Sequence, residues 1–129
     1  MTEVLTPDQL TALGHSYLAC AQAVGNYRYT KKLSKELNNR LSNLQWTLLN
    51  YSDDFYTSSA SLLMNDVRKS LVLIKQITKD INESYHRIRN VQKAIDVATS
   101  AITLAAALFS KNLVAIDHAL AEFVKEWKG

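Results

Sequence analysis

Proline and glycine are scarce in this chain, which has one proline and three glycines among 129 residues. With so few residues that end helices or permit tight turns, and with 47% hydrophobic residues, a long disordered tail is disfavoured and long helices are expected. A lone Cys20 excludes an internal disulfide and disfavours a thiolate metal site, which points to a reducing compartment. An excess of one charge sign is lacking as well. Fifteen basic and twelve acidic residues give a net charge of +3, which permits a polyanionic partner without demanding one.

The opening stretch, MTEVLTPDQL, has neither the basic head nor the apolar core of a secretory signal, and no lipidation motif is visible, so a cytoplasmic location is expected. There is no glycine-rich phosphate loop, no serine or cysteine in a recognisable nucleophile context, and the three histidines are dispersed. The chain is therefore expected to have no catalytic, cofactor-binding or metal-binding residues and to be no enzyme. No small-molecule substrate is implied. No motif carries a resemblance to a known family.

What the chain does have is hydrophobic periodicity. Thr6 is a good helix N-cap, Pro7 suits the first helical position, and Gln9 completes a capping box. Leu10, Leu13, Tyr17, Cys20, Val24 and Tyr27 then form one helical face. After a slip of phase at Gly25 and Asn26 the stripe resumes with Leu33, Leu37, Leu41, Leu44, Leu48, Tyr51 and Phe55, which predicts a kinked helix over about residues 7–50. YSDDFYTSS, residues 51–59, reads as the main turn. Beyond it, Val67, Ile74, Ile81, Ile88, Ile95, Ile102 and Phe109 recur every seven residues, the period of a left-handed coiled coil. That predicts a second helix over about 58–109. Leu113, Ile116, Leu120, Phe123 and Trp127 mark a short last helix, about 112–127, that folds back. The expected class is all-α: one domain over 1–129, a long antiparallel helical hairpin with a short C-terminal helix, packed as a coiled-coil-like bundle. Breaks near Gly25 and Asn82 would instead give a compact five-helix fold.

Between Asp96 and Lys111 the chain carries fourteen residues without a charge. As a helix this run would span about 21 Å against about 30 Å of hydrocarbon, so a buried core segment is expected rather than a membrane span. Its small residues, Ala101, Ala105, Ala106 and Ala107, suit close helix contacts.

In the long-hairpin reading the last helix covers only one end of the pair, leaving the apolar stripe at the turn end uncovered. Leu37, Leu41, Leu44, Trp46, Leu48, Tyr51, Phe55, Val67 and Leu71 are then candidate interface residues, and a homodimer or another helical protein is the expected partner. The leading expectation is a non-enzymatic protein–protein interaction module: an adaptor, regulator, chaperone or toxin-neutralising partner. Two other readings compete with it. The apolar segment Val97 to Val124 could enter a membrane, although Asp117, His118 and Glu122 oppose deep insertion. Alternatively, Arg28, Lys31, Lys32 and Lys35, interleaved with Tyr27 and Tyr29, could bind nucleic acid or other anions. Arg87, Arg89 and Lys93 form a second, weaker basic cluster. Glu83 with His86 has the spacing of half a carboxylate-bundle metal site, and His118 with Glu122 that of an acid and base pair. Both are read as solvated helix faces.

Overall fold

The computed structural model describes residues 1–129 and is all-α apart from one short pair of strands. Strand β1 (Thr2–Val4) leads into α1 (Pro7–Thr30), followed by α2 (Lys35–Thr57), strand β2 (Leu63–Asn65), α3 (Val67–Ser84), α4 (Val91–Ser110) and α5 (Leu113–Lys128). The capping box at the start of α1 forms as the sequence implies: the Thr6 hydroxyl accepts from the Gln9 amide, and the Gln9 side chain accepts from the Thr6 amide.

Both long helices of the expected hairpin are divided, and the shorter helices make the compact five-helix bundle. The first break falls at residues 31–34, not at Gly25. Lys31 leaves the helix in an extended conformation, and the Ser34 hydroxyl caps α2 by accepting from the Leu37 amide. The four-residue turn lets α2 run back antiparallel along α1. Gly25 lies within α1 where the helices approach closely, since a Cβ there would stand 2.6 Å from the Gln45 side-chain nitrogen.

The second expected helix is divided twice. Residues 58–66 are non-helical and include β2, which pairs antiparallel with β1 in the register Thr2 to Asn65 and Val4 to Leu63. Asp66 then takes a left-handed conformation, φ 48° and ψ 55°, which an aspartate tolerates, and α3 starts at Val67. Near Asn82, α3 gives way to a 3-10 turn, Tyr85–Arg87, and Asn90 opens α4 by accepting from the Lys93 amide. Ile88 is buried although it lies outside any helix, so the seven-residue repeat crosses a break in the backbone without losing its inward position. The last two helices form a hairpin turned at Lys111, with φ 60° at the end of α4, and Asn112 caps α5.

A single core of 31 buried hydrophobic residues connects all five helices and strand β2, while the residues of β1 are exposed. In the packing, α1 lies against α2 and α3, while α4 lies against α5 and α2. The uncharged run sits inside this arrangement. Val97, Ala98, Ala101, Leu104, Ala105, Ala107 and Leu108 are all buried, and the buried Tyr17 ring reaches over the small residues to the Ala101 carbonyl. As a whole, α4 has 20 residues and is long and apolar enough to cross a membrane by length and composition, yet more than half of its apolar stretch is packed within the bundle.

Candidate interaction surfaces

Folding α2 back on α1 redistributes the stripe expected to lie open. Leu41, Leu48 and Phe55 on α2 and Val67 on α3 are fully buried in the chain's own core. Leu37, Leu44, Tyr51 and Leu71 are half-buried against it. The expectation of an uncovered leucine stripe is therefore corrected, because the break at 31–34 brings α1 over the face that a straight helix would have left open. Tyr51 and Phe55 stack with Phe109 of α4 at centroid distances of 6.0 and 5.0 Å, and Tyr17 packs on Phe55 at 5.1 Å. Of the nine residues, only Trp46 points into solvent, with 63% of its surface exposed.

The α1–α2 contact is fastened by a cluster that the hydrophobic pattern did not disclose. The Ser52 hydroxyl donates to the Gly14 carbonyl at 2.7 Å, and the Tyr56 hydroxyl meets His15 Nδ1 at 2.7 Å. Tyr56 lies so close to α1 that a Cβ on Gly14 would stand 2.4 Å from its ring. A glycine at position 14, separated by regular stripes from a serine and a tyrosine, was the only available signal.

The basic stretch at residues 28–35 is split by the same turn, so Arg28, Lys32 and Lys35 do not share a helix face as one continuous helix would have allowed. Arg28 ends α1 and is half-buried, its Nε donating to Asn38 Oδ1 at 3.1 Å and its Nη1 to Gln45 Oε1 at 2.7 Å. That guanidinium ties the turn together. Lys31 lies 5.9 Å from the centre of the Tyr27 ring, and Lys32 and Lys35 are exposed on the turn and the first residue of α2.

No group of three or more His, Cys, Asp or Glu side chains converges closely enough to hold a metal ion. Glu83 lies 3.9 Å from Lys79, while His86 is in the 3-10 turn with its ring against Tyr85. Asp117 accepts from the Asn65 side chain, tying α5 to β2. Cys20 is buried, and burial pushes its thiol from 9.0 up to about 12, so it is a protonated core residue at neutral pH.

The second basic cluster gains members from the other end of the chain. Arg87, Arg89 and Lys93 line a cleft of about 340 Å³ together with Trp127 and Lys128 of α5. Lys93 Nζ donates to the carbonyls of Glu126 and Trp127 and so caps the end of α5. The Trp127 indole N–H donates to Asp80 Oδ2 at 2.6 Å, joining α5 to α3. Arg87, Arg89 and Lys93 were legible as a cluster in the sequence, but their meeting with the last turn of α5 was not.

Compared with protein-family models, with curated proteins and with solved structures, the chain matches none.

Proposed function

We propose that this chain is a non-enzymatic helical interaction module that self-associates through the outer face of α2, centred on Trp46. The supporting observation is the exposure of Trp46 in the middle of an uncharged stretch. From Leu41 to Ser52 no residue carries a charge, and the outward positions beside Trp46 are Asn43 and Asn50. Interfaces place large aromatics at their centres and charges at their rims, and a solvated tryptophan on a regular helix has that arrangement.

The charges at the two ends of the face favour a second copy as partner. Exposed Lys35, Glu36 and Arg40 give the N-terminal end of α2 a net positive charge, and exposed Asp53 and Asp54 give its C-terminal end a negative one. Two α2 helices crossed antiparallel about a two-fold axis near Trp46 would set the basic end of each against the acidic end of the other. Another helical protein of similar charge pattern is the alternative occupant.

The test is molar mass by light scattering across a concentration series. Wild-type protein is expected to approach twice the monomer mass, and Trp46→Ser to remain monomeric, with a melting temperature that matches the wild type at concentrations too low for association. Asp53→Lys should weaken the dimer, and added salt, which weakens the wild-type dimer, should weaken this variant less or strengthen it. A wild-type chain that stays monomeric at every concentration overturns self-association as the function of this face.

A further inference from the structure

We propose that the cleft between the 3-10 turn, the start of α4 and the end of α5 is a binding site for a phosphate monoester, with Arg87, Arg89 and Lys128 holding the phosphoryl oxygens. Four cationic side chains from four successive stretches of the chain line it: Arg87 from the turn, Arg89 from the linker, Lys93 from α4 and Lys128 from α5. None of them is paired. The chain's two ion pairs, Met1 with Asp66 and Lys79 with Glu83, lie elsewhere, so no carboxylate is within ion-pairing distance of these four groups.

The one acidic side chain on the wall, Asp80, accepts from the Trp127 indole N–H and keeps its negative charge, which leaves the four cations in excess by three. Lys93 is likewise engaged by the Glu126 and Trp127 carbonyls, where it offsets the partial negative charge at the end of α5. What remains free is two guanidinium groups and one ammonium. Like charges gathered in a cleft repel one another and concentrate counter-ions, and a bound anion relieves that repulsion.

The composition of the cleft selects among anions. A carboxylate satisfies one guanidinium, whereas a phosphate dianion offers three oxygens to two planar forks and an ammonium. The cleft, at about 340 Å³, is larger than a phosphoryl group requires, and Ile88 and the Trp127 ring provide an apolar wall. An ester with a small flat organic part fits that division between charged and apolar walls better than free phosphate. This site is separate from the outer face of α2.

The experiment is an NMR titration of the full chain, following Arg87 Nε, Arg89 Nε and the Trp127 indole N–H. Inorganic phosphate and phenyl phosphate are the probes, at ionic strength held constant with chloride. The expected result is saturable shifts at these three groups with both probes, with phenyl phosphate binding more tightly because its ring meets Trp127. Arg87→Gln with Arg89→Gln should weaken binding by about ten-fold or more, since hydrogen bonds to charged groups are lost. Both arginines are exposed, so an unchanged circular-dichroism spectrum is expected for the double variant, and Lys128→Gln gives an independent second test. Shifts that fail to saturate, that equal those produced by chloride, or that concentrate at Lys31, Lys32 and Lys35 overturn the proposal.

Discussion

The Tyr17 hydroxyl donates a 2.6 Å hydrogen bond to the main-chain carbonyl of Ala101, joining the middle of α1 to the middle of α4 across 84 positions of sequence. Both partners are buried, and Ala101 is small enough for the phenol to lie against the α4 backbone. Tyr17→Phe keeps the ring and removes the donor. The variant is expected to lose about 1–2 kcal/mol in urea denaturation, the usual cost of a buried hydrogen bond, with no change in oligomeric mass.

Alkali should unfold the chain through its buried acids. Burial raises Cys20 from 9.0 to about 12 and also raises Tyr17 and Tyr27. Below the unfolded values both states keep their protons and the full stability is present. Above them the unfolded chain loses protons that the folded chain retains, so stability falls as pH rises, by up to about 1.4 kcal/mol per pH unit for each group. For Cys20 the window runs from 9.0 to about 12. Urea melts at a series of alkaline pH values are expected to show this fall, and Cys20→Ala should flatten its first part. The Cys20 thiol should react with a disulfide reagent only as fast as the chain opens.

Replacing Gly14 separates two opposing effects. Alanine is favoured over glycine inside a helix by about 1 kcal/mol, but its Cβ would displace the Tyr56 ring and break the contact between Tyr56 and His15. Gly14→Ala is therefore expected to be neutral or destabilising in the native background and stabilising by about 1 kcal/mol in a Tyr56→Ala background. A double-mutant cycle by thermal melts measures the difference. Equal effects in both backgrounds would show that Tyr56 yields at no cost.

Leu41 and Trp46 lie five positions apart on α2 and should respond in opposite ways. Leu41 is fully buried, so Leu41→Ala is expected to cost about 2–5 kcal/mol and to lower the melting temperature. Trp46→Ser should act on association alone, leaving the melting temperature unchanged at concentrations where the wild type is monomeric. If Leu41→Ala changes only the molar mass, Leu41 belongs to an interface between chains.

Lys111 ends α4 in the left-handed conformation, φ 60°, that glycine adopts without the Cβ clash. Lys111→Gly is expected to stabilise the chain by about 0.5–1 kcal/mol in urea denaturation, against the usual destabilising direction of glycine substitutions.

Local signals that depend on a few neighbouring residues were readable in the sequence. The Thr6 and Gln9 capping box, the stripes through Leu13 and Tyr17, the repeat from Val67 to Phe109 and the burial of the uncharged run all have their counterparts in the structure. The breaks were harder to read. Ser34 and Asn90 are acceptable N-caps, but neither adjoins a proline or glycine, and the apolar stripe resumed beyond each break, after a slip of phase near Gly25 in the first case and without one in the second. Periodicity reports which side of a segment faces inward. It does not report whether the backbone between two such segments stays straight. The strands were missed for a related reason: three-residue strands leave no room for an alternating pattern to stand out, and β1 is stabilised as a strand by pairing with β2 some sixty residues away.

By itself the sequence determined the helical class, the inward faces and most of the core, because those follow from backbone propensity and the spacing of apolar residues. Only the tertiary structure decided which faces remain outside. Folding α2 onto α1 buries Leu41 and Leu48 while leaving Trp46 exposed, and the end of α5 brings Trp127 and Lys128 to Arg87 and Arg89. Those juxtapositions depend on the direction of each turn and the path of the chain through space, and no local run of residues encodes either one.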